Sequence, residues 1–401
     1  MPQAPRNRRL AGALIVTALL LAGCQPEPQR QTLEPGSAWP RLAPTSDGGA
    51  IVSYLLRLPT GASGLRFRTL RDGAWRDPVS IASNDGWLDN WADSPRVTPL
   101  DATRWVAAWF VFTDRSAFAY DIRLSQSLDG GRTWEQPFAP HHDGVTGEHG
   151  FISFAVGATV PLAAWLDGRG GHHAAAESGR GSAMQLRGRR LDRDLNAPAQ
   201  LIDERVCDCC PTATAATPAG AIVVYRDRDD DEVRDIYYSR FSNADQRFSA
   251  PRPVARDGWR IGGCPVNGPA VAANGAEIAV AWFTGHPTPR VRAAFSSDGG
   301  ERFAPALTLA GTEATPRDVI GRVGLAWQGA DALVTLIADS TLWLYRLIPD
   351  KNGYRVGGEP RALVKLDPDR STGMPSLLMI DGVAYIAWTD AQGAQIQRVA
   401  L

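Results

Sequence analysis

The chain has 401 residues, 44% of them hydrophobic, so a large core is available, and 42 basic side chains against 43 acidic ones leave a formal net charge of -1. That balance gives no electrostatic reason to bind nucleic acid. Forty Gly, 29 Pro and 13 Trp describe a chain of many turns and many packed aromatics, which favours an all-β protein over a helical one.

The first element is a targeting segment. Arg6, Arg8 and Arg9 make a basic start and Leu10 to Leu21 an apolar run, too short and too unevenly flanked for a membrane span. It closes on Leu21-Ala22-Gly23-Cys24, which resembles the lipobox of bacterial lipoproteins. The resemblance implies that residues 1–23 are a signal peptide and that Cys24 is lipidated and becomes the mature N-terminus. An ordinary secretory signal followed by a chance Cys is the alternative. Several acyl chains on one Cys anchor a protein stably in a lipid bilayer. Gln25 stands where an Asp would retain such a protein in the inner membrane. The expected location is therefore the cell envelope, on the outer membrane facing the periplasm. Residues 24–36, rich in Pro and Gln, read as a tether.

From residue 37 to 401 one pattern recurs: a strand of small residues, a turn, then a strand closing on an aromatic. Copies begin at Pro40, Pro95, Phe151, Pro211 and Pro265, a degenerate one at Gly321, and a last one at Pro375. The spacing is roughly 50 residues, the period of four-stranded propeller blades. A β-propeller of seven blades is expected, with six as the alternative because the copy at Gly321 is poor. The last copy stops after three strands at Leu401. An open ring would expose unpaired backbone groups, so the segment around Gln31 to Pro35 is expected to supply the missing strand.

Two turns between third and fourth strands read Ser127-Leu-Asp129-Gly-Gly131-Arg-Thr-Trp134 and Ser296-Ser-Asp298-Gly-Gly300-Glu-Arg-Phe303. Asp and Ser bond turn amides, the glycines permit positive φ, and the aromatic packs the turn. These turns resemble the Asp boxes of sialidases and related BNR-repeat propellers. The resemblance implies a sialidase-like propeller in which these residues are structural.

Loops entering the innermost strands are expected on one face and the Asp boxes on the other. Cys207, Cys209 and Cys210 immediately precede the inner strand of blade four, and Cys264 that of blade five, with Pro following Cys210 and Cys264. Equivalent positions in neighbouring blades should be close in space. Four Cys beside His suit a soft metal such as Cu(I), or Zn²⁺. A disulfide is the competing expectation, since an exported chain meets an oxidising compartment. His149, His172, His173 and His286 are candidate additional ligands on the same face, beside His141 and His142. Unliganded, exposed loop histidines are the alternative. The acidic loop Asp227 to Glu232 reads as a solvated charged loop or a site for a hard cation. Trp87, Trp91 and Trp259 read as packing between blades or as platforms for a sugar.

A sialidase needs an Arg triad, a Tyr activated by Glu, and an acidic Asp. Such families also carry Phe/Tyr-Arg-Ile-Pro in the first blade, where this chain has Trp39-Pro40-Arg41-Leu42. Arg96 holds the equivalent place in blade two, and Arg169 and Arg322 have no motif around them. The sequence therefore points to an envelope lipoprotein binding a metal ion, glycan or protein partner on the cysteine face. An exo-α-sialidase or related glycoside hydrolase is the alternative.

Overall fold

The computed structural model describes residues 1, 30–157, 160–169, 183–192, 195, 197–313 and 316–401. The expectations for the signal peptide, Cys24, His172 and His173 lie outside the described residues. Among the described residues no helix is long and apolar enough to cross a membrane.

Seven antiparallel sheets form the molecule. Their innermost strands are Ser37–Pro44, Arg96–Pro99, His149–Ala155, Ala213–Thr217, Ala270–Asn274, Val319–Gln328 and Ser376–Ile380, in blades 1 to 7. The degenerate copy at Gly321 is a full blade, pairing Val319–Gln328 with Asp331–Ala338. Its inner strand is bulged, with register shifts between Val319 and Gly324. Blade 2 is the thin one, with three strands and an isolated bridge from Leu124 to Phe138 in place of a fourth.

The small-strand, turn, aromatic-strand pattern has a direct cause. Second strands are buried on both faces, as in Gly220–Arg226 and Leu162–Asp167, so they carry near-continuous apolar runs. Alternate residues then serve alternate neighbours. Ile222 and Val224 pack towards blade 5, and Val223 and Tyr225 towards blade 3. Every neighbouring pair of blades shares its own apolar cluster, including blades 7 and 1. The closing aromatics Tyr54, Trp165, Tyr225, Trp282 and Trp388 fill these wedges at 0–1% exposure. Burying each such side chain is worth roughly 2–3 kcal/mol.

The ring closes through the N-terminal segment. Arg30–Thr32 pairs antiparallel with the last strand, Arg30 opposite Gln397 and Thr32 opposite Gln395. Leu33 then enters the wedge between blades 7 and 1, and Glu34 takes hydrogen bonds from the Tyr54 hydroxyl and from Arg66. The paired residues fall slightly earlier than the sequence suggests, because Leu33 and Glu34 turn inwards to pack.

Both Asp boxes form the same local network. Ser127 donates to Asp129 at 2.8 Å, the Gly131 amide donates to Ser127 at 2.8 Å, and the Thr133 amide donates to Asp129 at 2.9 Å. Ser296, Asp298 and Gly300 repeat it at 2.7 and 2.9 Å. Hydrogen bonds, first from the Thr133 side chain and amide, hold the Asp129 carboxyl far below the usual range. Gly131 has φ of 84°, and a Cβ there would come within 2.7 Å of the Trp105 ring. Trp134 packs against the wedge between blades 1 and 2, and Phe303 against that between blades 4 and 5.

Candidate metal centre on the loop face

On the opposite face the chain enters several inner strands through left-handed residues. Trp39, Phe151, Val266 and Arg322 have φ of 56, 53, 46 and 51° in blades 1, 3, 5 and 6. None is glycine, so each carries backbone strain of roughly 1–3 kcal/mol. In blades 1, 3 and 6 the inner strand is also bulged at this point, which re-aims its side chains.

Cys207, Cys209 and Cys210 come together at this rim. The Cys207 and Cys210 sulfurs are 3.3 Å apart and those of Cys207 and Cys209 4.0 Å. All three sulfurs lie within 4.8 Å of one another. The Asn267 amide of blade 5 donates to Cys210 at 3.4 Å, so the two blades meet at the thiols. Cys264 arrives from blade 5, three residues before Asn267, and perturbs the titration of Cys209. No disulfide joins the four.

The thiols sit in a cationic setting. Arg234 donates to Cys207 at 3.4 Å. The acidic loop holds that guanidinium in place: Glu232 pairs with Arg234 and with Arg228, each at 2.7 Å, and Arg228 also with Asp208. Hydrogen bonds from Cys209 and Cys210, then the field of Arg226, pull the Cys207 thiol well down. Its hydrogen bond to Cys207 pushes Cys209 up, and burial pushes Cys210 up. Of the three, Cys207 is the thiol whose ionisation these neighbours favour. The loop 227–232 therefore acts as an ion-paired scaffold.

The histidines do not join the thiols. His149 is fully buried and His141 nearly so, contrary to the expectation of exposed loop histidines. Their rings stack at 3.9 Å with an 8° interplanar angle. His149 bonds Asp143 at 2.9 Å, and His141 lies 3.5 Å from Asp121. Burial, then the neighbouring His149, lower the His141 pKa to about 4. Arg169 already fills the space between Asp143 and Asp167, at 3.0 and 2.6 Å. Face-to-face imidazoles cannot both direct an in-plane lone pair at one ion, so this cluster reads as a packed ionic core. His286 is exposed and precedes Pro287 through a cis peptide. Among the described residues neither His149 nor His286 falls within a group that includes the thiols.

The arginines of this face are engaged. Arg226, 1% exposed, donates to the carbonyls of Asn267, Phe283 and Arg234 at 2.7–3.1 Å and covers the Trp259 ring. Arg322 donates to the carbonyls of Asp369 and Gly373 and lies over Trp91. Arg41 donates to Ser94 and to the Met374 carbonyl, and its burial lowers its pKa to about 9. Trp87 is stacked on Trp109 at 5.4 Å. All three candidate tryptophans are thus packing elements. Asp93 is a buried acid that sequence reasoning missed. It accepts from the Phe151 amide at 2.9 Å and Tyr120 at 3.3 Å, and burial raises its pKa to about 7. Below this level a cavity of about 480 Å³ occupies the channel, lined by Arg41, Arg96, Ser153, Thr212, Thr214 and Ser376 among others.

No protein-family profile matches this chain, and no curated protein matches it in sequence. Solved structures do match its fold. The BP39L lectin of Burkholderia pseudomallei is 11% identical with a TM-score of 0.59, over 92% of this chain and 97% of the lectin. An α-L-arabinanase of Penicillium chrysogenum, complexed with arabinobiose, is 11% identical with a TM-score of 0.50, over 93% and 98%. The α-L-arabinofuranosidase Arb93A of Fusarium graminearum, in complex with an iminosugar inhibitor, is 11% identical at 0.49, over 92% and 95%. At these identities the likeness establishes a β-propeller and nothing finer.

Proposed function

We propose that this chain is a lipid-anchored protein of the bacterial envelope whose propeller holds a soft metal ion, Cu(I) or Zn²⁺, at Cys207, Cys209 and Cys210. The spacing of the three sulfurs carries the reading. Ligands about 2.3 Å from a shared ion at tetrahedral angles stand about 3.8 Å apart, and the observed separations of 3.3 and 4.0 Å bracket that value. The set is all sulfur, which suits a soft ion. Arg234 offsets the negative charge that several thiolates bring. A disulfide between Cys207 and Cys210 is the competing state of the same residues, and it needs their sulfurs to close to about 2.05 Å.

A carbohydrate ligand is the second reading, favoured by the lectin and arabinanase among the matching folds. Against sialoside hydrolysis stands the use of Arg41, Arg226 and Arg322 on backbone carbonyls. A buried guanidinium so engaged is not free to clamp a substrate carboxylate. Turnover of a simple sialoside at ordinary enzyme rates, about 1 to 1000 per second, would promote the hydrolase reading.

The deciding measurement is metal content and free-thiol count of protein purified from the envelope fraction. About one ion per chain, lost in Cys207→Ser, is expected. An isolated protein with no metal, no uptake of Cu(I) or Zn²⁺ after reduction, and a Cys207–Cys210 disulfide would end the proposal. For the anchor, Cys24→Ser should release the protein from membranes and abolish acyl labelling. A Ser variant that stays membrane-bound removes the lipoprotein reading.

A further inference from the structure

Resting on the soft-metal reading, we infer that Cys264 is a relay thiol that accepts Cu(I) from a donor and passes it through Cys209 to the buried sulfurs. The four thiols form a gradient of accessibility. Cys264 is exposed, Cys209 half-buried, and Cys210 and Cys207 are 1% and 0% exposed. They also follow one another in space. Cys264 lies three residues before Asn267, whose amide meets Cys210, Cys209 lies 4.0 Å from Cys207, and Cys207 lies 3.3 Å from Cys210. A site built only from Cys207 and Cys210 would be sealed from any donor.

Cys264 also stands apart from the compact group. The three sulfurs of Cys207, Cys209 and Cys210 are mutually within 4.8 Å, and that group does not include Cys264. Three sulfurs satisfy Cu(I) by themselves, whereas Zn²⁺ on the same three would take a further ligand such as water. A fourth thiol outside a complete three-sulfur set is suited to exchange. Its segment has room to swing: Gly262 and Gly263 precede it, and a Cβ on either would meet nothing within 4 Å. Two successive glycines leave that backbone conformationally permissive.

Transfer is a series of ligand exchanges. The Cys264 sulfur donates an electron pair to Cu(I) as one bond to the donor's soft ligand breaks. Cys209, then Cys207 and Cys210, each form a Cu–S bond as an outer one is lost. Copper stays in the +1 state throughout, and the proton shed by an incoming thiol goes to the departing ligand or to water. The partner that fits is a Cu(I) complex with exchangeable thiolate, thioether or similar soft ligands.

The test follows Cu(I) uptake by the reduced full-length protein from the coloured Cu(I)–bicinchoninate complex, in stopped flow and at equilibrium. Cys264→Ser should slow uptake at least about tenfold while leaving the equilibrium affinity within about threefold. Cys209→Ser and Cys207→Ser should each lower the affinity at least about a hundredfold. Unchanged uptake by Cys264→Ser overturns the relay and leaves the metal site standing. An affinity loss in Cys264→Ser equal to that in Cys209→Ser also overturns it, making Cys264 a resident ligand. Failure of the unmodified protein to take Cu(I) at all removes the relay, and the copper form of the site with it. Cys264 is exposed, so its replacement by Ser should not disturb folding, and a melting curve of the variant checks this.

Discussion

The Asp-box face and the cysteine face of this propeller are held by opposite means. Around Asp129 the hydrogen bonds span two to four residues. Around Arg226 they reach Asn267 and Phe283, 41 and 57 residues away and in the next blade. A local turn fixes its own geometry whatever its neighbours do. The cysteine face exists only once blades 4 and 5 are docked, because its thiols are positioned by Asn267 of one and Arg234 of the other. Damage to the first face should stay local, and damage to the second should spread to the candidate site.

Removing the Arg226 guanidinium should have the largest effect. Arg226→Met leaves several buried carbonyls without their donor and strips the cover from Trp259. Each buried carbonyl left without its donor costs about 1–3 kcal/mol. Urea unfolding should register that loss, and a thiol reagent should reach Cys207 and Cys210 faster. A variant as stable as the parent, with thiols equally protected, would show that the two blades dock without this residue.

Asp93 gives a smaller effect with a distinctive pH dependence. Its folded pKa, raised by burial to about 7 from 3.8, is set among Arg96, Arg41 and Tyr120. The neutral acid is fully compatible with the fold below about pH 4, and that stability is lost as pH rises through about 7. Asp93→Asn should therefore gain stability relative to the parent between about pH 4.5 and 7.5. The gain should be at most about 4 kcal/mol, since each pH unit separating the folded and unfolded titrations is worth about 1.36 kcal/mol. Urea midpoints that run parallel for both proteins across this range would place a charged Asp93 in the fold.

Deleting residues 30–35 opens the ring at blade 7, where Arg30–Thr32 pairs and Leu33 is 3% exposed. A melting temperature lower by several degrees is expected, with increased self-association through the bared edge. An unchanged melting temperature would mean that closure rests on the blade wedges alone.

Asp129→Ala should be the mildest. It removes the acceptor for Ser127, Arg132 and Thr133, lowering the melting temperature by about 2–4 °C. Metal uptake and thiol reactivity should not change. Altered thiol reactivity in this variant would overturn the separation of the two faces.

The repeat spacing, the blade count and the Asp boxes were legible in the chain because each rests on contacts close in sequence. A strand buried on both faces must be apolar along its length, and an Asp-Gly-Gly turn encloses its own hydrogen bonds. Even the meeting of Cys210 with blade 5 followed from repeat arithmetic, since equivalent positions in adjacent blades must be neighbours. Other features belong to tertiary structure alone. Nothing in the repeat says that His149 leaves the thiols for Asp143 and Asp121, because those partners come from loops of irregular length. Nothing announces the left-handed residues at Trp39, Phe151, Val266 and Arg322, which carry no glycine to mark them. Arginines of the kind that clamp a substrate carboxylate are committed to carbonyls that only the assembled ring presents. Sequence determined the scaffold through short-range periodicity and local turn chemistry. Which polar groups are engaged and which are left to bind something was decided by burial, and burial exists only after the seven blades close.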